Sequence, residues 1–233
     1  PKEKGNKKQV FNKSLMLADK FYDSNLDFEF KETGSNPKKM YIFNEDSGSL
    51  KNDKWVFEKV PTLYKCDPVN WLISEKHDGV RAVWDGINFI SRGNKVYNAP
   101  DWFKQLMPEG RALDGELHCG KGGFQKVTGI VRHLIPNEKD WAKVTYQVFD
   151  IPENDLVKEP FSKRLEILEE VVNELCKKWS NIKKPDFCPK ECPLQFTQHI
   201  KVKNMQHAHD IYRESITSGG EGVMLRPANS IYE

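Results

Sequence analysis

Two short β-forming runs, Trp71-Leu72-Ile73-Ser74-Glu75 and Val80-Arg81-Ala82-Val83-Trp84, are separated only by Lys76-His77-Asp78-Gly79. An Asp-Gly pair between apolar runs is a turn signal. With so few residues between the runs, Lys76 must stand at an exposed strand end. Asp85-Gly86 is a type I′ hairpin signal, and Asn88 to Ser91 returns from it. Trp71 to Arg92 therefore reads as one tight antiparallel unit. A lysine at such a place is either a solvated charge or a nucleophile. Its amine attacks only in the neutral form, and nearby cations or partial burial favour that form over the usual lysine behaviour. Arg81, five positions on, is a candidate cation. The hexapeptide alone favours the solvated charge.

The rest of the chain bounds the fold class. Residues 1–13 read as a flexible basic arm, and residues 14–233 as one domain that opens with an apolar element from Ser14 toward Tyr22. Met40-Tyr41-Ile42-Phe43 and Lys54-Trp55-Val56-Phe57 are strand candidates. Pro100 to Leu106 reads as a short helix with proline in its first turn. Arg111 to His118 and Val144 to Ile151 read as strands. Pro160 opens a long helix in which Phe161, Leu165, Leu168, Val172 and Leu175 recur at helical spacing, a core stripe. Leu194 to Val202 reads as one strand, Met205 to Ile216 as a helix ended by Gly219-Gly220, and Gly222 to Arg226 as a last strand. The mixture predicts an α+β fold, antiparallel β-sheets flanked by helices, and not a regular βαβ repeat.

Charge and cysteine content exclude several classes. The 233 residues carry 36 basic and 34 acidic side chains, a net charge of +2. Bulk charge alone would not hold such a chain on nucleic acid. Local clusters at Lys2, Lys4, Lys7 and Lys8 and at Lys177, Lys178, Lys183 and Lys184 could meet phosphates, or simply face solvent. No apolar run reaches the length of a membrane span, so no membrane partner is expected. Five cysteines, an odd number, point to a reduced, intracellular protein. Cys188-Pro189-Lys190-Glu191-Cys192 with His199 lacks zinc-knuckle spacing and a second pair, so reduced loop thiols are expected there.

Three later segments change the reading of Lys76. Asp114-Gly115-Glu116-Leu117 sets a carboxylate on a strand just after a glycine. Phe149-Asp150 ends an apolar strand with an aromatic and an acid. Glu221-Gly222-Val223-Met224-Leu225-Arg226 follows a Gly-Gly turn. Each alone is ordinary: a turn acid, a core phenylalanine, a packing methionine. Together they meet one chemical need. A lysine attacking a nucleotide α-phosphate needs cations (Arg81, Arg92), carboxylates for a divalent metal (Glu116, Glu221) and a flat apolar surface for the base (Phe149, Met224).

The order and wording of these segments resemble the covalent nucleotidyltransferase superfamily, and most closely the adenylation domain of ATP-dependent DNA ligases. The anchors are Glu75-Lys76-His77-Asp78-Gly79-Val80-Arg81, Ser91-Arg92, Leu113 to Leu117, Val148-Phe149-Asp150 and Gly219 to Arg226. Trp84-Asp85-Gly86, Pro100 to Phe103 and Gly122-Gly123-Phe124-Gln125 look like the small, compact ligases. The resemblance implies an ATP-grasp-like nucleotidyltransferase fold over residues 14–233. It implies that Lys76 forms a lysyl–AMP adduct, with Glu75 near the adenine edge and Phe149 stacking on adenine. Arg81 would contact AMP and then the 5′-phosphate of a nick, and Arg92 the ribose or that phosphate. Glu116 would contact the ribose, and Glu116 and Glu221 would hold Mg²⁺, or Mn²⁺ in its place. The substrates would be ATP and nicked double-stranded DNA, sealed by a monomer in replication, repair or recombination. The family continues with a basic strand carrying two lysines and an OB-fold, both expected beyond Glu233 in the parent protein. His77 stands where the family often has a hydrophobic residue, and Arg92-Gly93-Asn94 where Arg-Asn-Gly is common. The alternatives are an RNA ligase, an mRNA-capping guanylyltransferase using GTP, or a non-catalytic nucleotide- or DNA-binding module.

Overall fold

Strand alternation and sheet membership decide which of these side chains can meet. The computed structural model describes residues 48–51, 54–57 and 68–232. Strands β1 (Gly48–Lys51) and β2 (Lys54–Phe57) form an antiparallel ladder in a unit of their own, residues 17–67. The candidate strand Met40 to Phe43, the 1–13 arm and the element from Ser14 lie outside the described residues.

Two further sheets carry the rest. Strand β3 (Leu72–Glu75) lies in a three-stranded sheet between β10 (Ile200–Lys201) and β11 (Val223–Arg226), antiparallel to both. Strand β4 (Gly79–Trp84) belongs to a six-stranded sheet with β5 (Phe89–Ser91), β6 (Val96–Tyr97), β7 (Leu113–His118), β8 (Thr145–Asp150) and β9 (Leu194–Phe196), in the order β6-β5-β4-β7-β8-β9. All pairs are antiparallel except β8 with β9. The expectation of a single antiparallel unit from Trp71 to Arg92 is therefore corrected. Lys76-His77-Asp78 is a crossing from one sheet to another, and β3 and β4 do not pair.

Helices cover one face of the large sheet. Val80, Ala82 and Trp84 of β4, Leu113 and Leu117 of β7, and Tyr146 and Val148 of β8 point into one core. Helix α1 (Asp101–Leu106) adds Trp102, Phe103 and Leu106, and α2 (Phe124–Val131) adds Val127, Ile130 and Val131. Short α3 (Glu138–Trp141), capped by the Asn137 side chain, adds Trp141. Helix α4 (Phe161–Lys178) buries the whole expected stripe, and Lys177 and Lys178 face the negative end of its dipole. Neither α2 nor α3 was expected, although Val127, Ile130 and Val131 have helical spacing. Helix α5 (Met205–Thr217) starts at Asn204, whose side chain accepts from the His207 amide at 2.8 Å. It packs on the small sheet, where Ile73, Val202 and Ala208 form a second core with Ile211, Val223 and Leu225. No helix among the described residues is long and apolar enough to cross a membrane.

Two local expectations also change. The turn after β4 is not a two-residue type I′ turn, which needs positive φ at both central residues. Only Gly86 has it, at 94°, and the Asp85 carboxylate accepts from the amides of Ile87 and Asn88 at 2.9 and 2.7 Å. The expected strand from Leu194 to Val202 is broken at Thr197-Gln198-His199. Its first half joins β8 and its second joins β3, so the break is where the chain returns to the small sheet.

Candidate active site

Lys76 is fixed by backbone on the small-sheet side. Its amide donates to the Gly222 carbonyl at 2.9 Å, the same oxygen that accepts the Ser215 hydroxyl at 2.9 Å. Its Nζ hydrogen-bonds and ion-pairs with Glu221. The two side chains are 49% and 40% exposed, and a pair this open to water contributes about 0–1 kcal/mol. It orients the amine and yields readily to a ligand. Gly79 starts β4 under tight constraint. A Cβ there would lie 2.2 Å from the Leu117 carbonyl oxygen across the β4–β7 ladder, so the glycine lets the chain enter the large sheet directly after Lys76.

The open face of the large sheet presents a charged row. Arg81 stands opposite Glu116 in the β4–β7 register, and Val83 opposite Asp114. Asp114 is fully buried and takes both edges of the Arg81 fork, from Nε at 3.0 Å and Nη2 at 2.6 Å. On β8 the register slips: Asp114 pairs with Asp150, but Gly115 pairs with Val148, so Phe149 is an extra residue. This bulge reverses the alternation. Without it Asp150 would share the core face with Val148; with it Asp150 turns to the face of Asp114 and Arg81. Phe149 emerges there too, with the Arg81 guanidinium 5.6 Å from its ring centre.

Across the cleft, alternation along β3 and β11 sorts the small sheet. Ile73, Val223 and Leu225 face α5, whereas Ser74, Met224 and Arg226 face the large sheet. Arg226 crosses to it, donating from Nη1 to Asp150 at 2.5 Å and lying 3.9 Å over the Phe161 ring. Met224 is partly exposed on that same face. Glu75 alternates toward α5 instead, and its carboxylate approaches Lys121 Nζ at 3.5 Å. Lys121 also reaches the Ser218 hydroxyl at 2.7 Å, so it bridges the loop after β7 to the end of α5. Arg92 is exposed in the turn after β5, one residue past the Ala82–Ser91 pair and hence beside Arg81 in strand order.

Of the expected site residues, the fold brings Lys76, Glu221, Arg81, Glu116, Phe149 and Met224 to the two facing sheets. Glu75 and Arg92 lie at the margins. Sequence reasoning did not place Asp114, Asp150 or Arg226 in this network of ion pairs. Asp114 had a signal, since it precedes Glu116 by two on one strand and must share its face. Cys188 and Cys192 do not face each other as a pair; Cys192 Sγ is 2.7 Å from Cys176 Sγ.

Electrostatics set the protonation of the row. Burial, with Asp114 and Asp78 nearby, pushes Glu116 up to about 7 against the pull of Arg81 and Lys76. Burial, reinforced by His118, lowers His77 to about 4, so the ring beside Lys76 is neutral at neutral pH. Its Nε2 lies 3.0 Å from the Thr197 hydroxyl. Glu116 gives a testable sign. Between pH 4.5, its ordinary value, and about 7, the folded protein keeps a proton that the unfolded chain has lost. Stability from this group is therefore lost as pH rises through that window. With chelator and no nucleotide, Glu116→Gln should match wild type near pH 4.5 and melt about 2–4 °C higher at pH 8. Parallel melting profiles would remove Glu116 as the group responsible.

A family model described as the ATP dependent DNA ligase domain matches residues 56–233. A DNA ligase of Haemophilus influenzae is 26% identical over 173 residues, covering 73% of this chain and 56% of that protein. A DNA ligase of African swine fever virus is 26% identical over 189 residues, covering 76% and 41%. The chain thus spans about half the length of these curated relatives. Among solved structures, a Lig E DNA ligase superposes with a TM-score of 0.60 at 27% identity, over 72% of this chain and 59% of its own. The Chlorella virus DNA ligase–adenylate superposes with a TM-score of 0.57 over 71% and 57%; at 20% identity it speaks for the fold alone.

Proposed function

Because the chain belongs to the ATP-dependent DNA ligase domain family, we propose that it is the adenylation domain of a DNA ligase and that Lys76 takes AMP from ATP. The observation that carries this reading is Lys76 itself. It sits at the crossing between two sheets, half-exposed, ion-paired to Glu221 and facing a row made of Arg81, Glu116 and Phe149.

Named side chains support the first step. A proton of the Lys76 amine passes to its partner Glu221, the neutral Nζ attacks the α-phosphorus, a P–N bond forms with the second proton going to water, the bond to the β-phosphate oxygen breaks, and pyrophosphate leaves. Arg81, held rigid by Asp114, meets the phosphate charge. Phe149 and Met224, on facing sheets, offer apolar surfaces to the two faces of adenine. Glu116 meets the ribose. AMP then passes to the 5′-phosphate of a nicked duplex, where Arg81 and Arg92 would contact that phosphate, and the 3′-hydroxyl displaces AMP to seal the strand.

The carboxylates suit a hard divalent cation. Glu116 is pushed up partly by its acidic neighbours Asp114 and Asp78, a repulsion that a cation relieves. Glu116 and Glu221 would hold Mg²⁺ or Mn²⁺. Among the described residues no three His, Cys, Asp or Glu side chains converge as a metal set, so water and phosphate oxygens would complete the shell. Such an ion supplies Lewis acidity and neutralises phosphate charge.

The test is incubation with Mg²⁺ and α-labelled ATP, with labelled GTP in parallel, followed by denaturing electrophoresis. Label from ATP that survives denaturation supports the reading. Label from GTP alone would mean capping chemistry, and reversible binding with no adduct, in this chain and in a version extended past Glu233, would mean a binding module. Phe149→Ala should weaken ATP affinity about tenfold or more, the usual worth of base stacking, while melting changes little. A large melting loss at unchanged affinity would make Phe149 a packing residue.

A further inference from the structure

The acids on the open face do not hold themselves in place. Asp114 and Asp150 are neighbours across β7 and β8, both fully buried, and two buried carboxylates repel unless each is paired. Asp150 is satisfied by Arg164, through Nε at 2.7 Å and Nη2 at 3.0 Å, and by Arg226. Asp114 is satisfied from one side by Arg81 and from the other by Tyr232, whose hydroxyl donates to Oδ2 at 2.7 Å. That same oxygen takes Arg81 Nη2 at 2.6 Å.

Tyr232 is itself fixed. It is 2% exposed, its amide donates to the Val157 carbonyl at 2.9 Å, and its ring packs with Val83, Ala112 and Val157. The ring also lies 5.8 Å from the Arg164 guanidinium and 6.0 Å from that of Arg226. The segment after β11 therefore reaches back under the open face and grips the carboxylate that orients Arg81. Arg81 keeps 19% of its side chain exposed toward Phe149 and Glu116.

We propose that Tyr232 is a positioning residue for Arg81: its hydroxyl fixes the Asp114 carboxylate, and that carboxylate aims the guanidinium at the nucleotide phosphate. Tyr232 touches no reacting atom. The geometry of the relay stands on the contacts alone, and its catalytic consequence rests on the proposed AMP transfer.

The test uses Tyr232→Phe, Arg81→Lys and the double variant, with two readouts. The first needs no activity. The Arg81 Nε–H signal in ¹⁵N-labelled protein, assigned by its loss in Arg81→Lys, should exchange slowly in wild type. Tyr232→Phe should speed that exchange about tenfold, the effect of losing one hydrogen bond to a charged group, while the β7 and β8 amides keep their protection. Unchanged Arg81 exchange overturns the relay whatever the activity. General loss of β7 and β8 protection also overturns it, since Tyr232 would then be a packing residue only. The second readout is the rate of covalent labelling. Tyr232→Phe should lower kcat about tenfold with the KM for ATP within about twofold, and should lower it no further in the Arg81→Lys background. A full additional loss in the double variant overturns the relay. Absence of label in both this chain and a version extended past Glu233 would instead overturn the proposed function and leave the exchange result to judge the relay.

Discussion

Lys76→Ala should abolish covalent AMP transfer, leaving no band above background after denaturation. The expectation is absolute because the adduct needs an amine at this position. Alanine removes the nucleophile and leaves Arg81, Glu116 and Phe149 in their places. ATP should still bind, and melting should barely move, because the pair with Glu221 is half-exposed and contributes about 0–1 kcal/mol. The measurement is the labelling assay beside an ATP-binding isotherm and a melting curve, on this chain and on a version extended past Glu233. Undiminished label in Lys76→Ala would remove it as nucleophile and redirect the search to Lys121, a lysine that contacts Glu75 at the margin of the cleft.

The second large effect concerns stability. Arg164 is fully buried on α4, donates two bonds to fully buried Asp150, and gives a third to the Glu159 carbonyl at 2.5 Å. Truncating one member of such a pair strands a charge in a dry site, at a cost of about 3–5 kcal/mol. Arg164→Ala should therefore lower the melting temperature by on the order of 10 °C. Arg226 would remain to hold Asp150 in part, so Asp150→Ala, which leaves two guanidiniums facing each other, should be at least as damaging. Chemical denaturation of both variants checks this. A loss below about 1 kcal/mol in both would mean that water reaches the pair.

The sequence showed local features well and sheet membership poorly, for a physical reason. The α4 stripe and the short strands were legible because periodicity is written within one element. Lys76, Glu116, Phe149 and Glu221 were singled out through their wording, and the fold brings them to the two sheets. The break at Thr197-Gln198-His199 was not, because Leu194 to Val202 is β-forming throughout and only distant partners divide it between two sheets. Glu75 was expected near the adenine edge by resemblance alone; its pairing with Val223, which turns it toward α5, is a sheet contact that no local pattern shows. Asp150 and Arg226 were invisible as partners, since their meeting depends on a one-residue slip in register and on two sheets facing each other.

That slip has a consequence of its own. Along β8 the chain keeps a spatial reading frame, one face per alternate residue, and Phe149 is an insertion that changes the frame. Upstream, Tyr146 and Val148 are read into the core; downstream, Asp150 is read into the cleft. A substitution at 149 edits one letter, whereas a deletion there would close the bulge, leave Asp150 opposite Asp114 on the cleft face, and take from the site the ring that Arg81 faces. The length of this strand, counted to the single residue, is thus as much a part of the site as the side chains it bears.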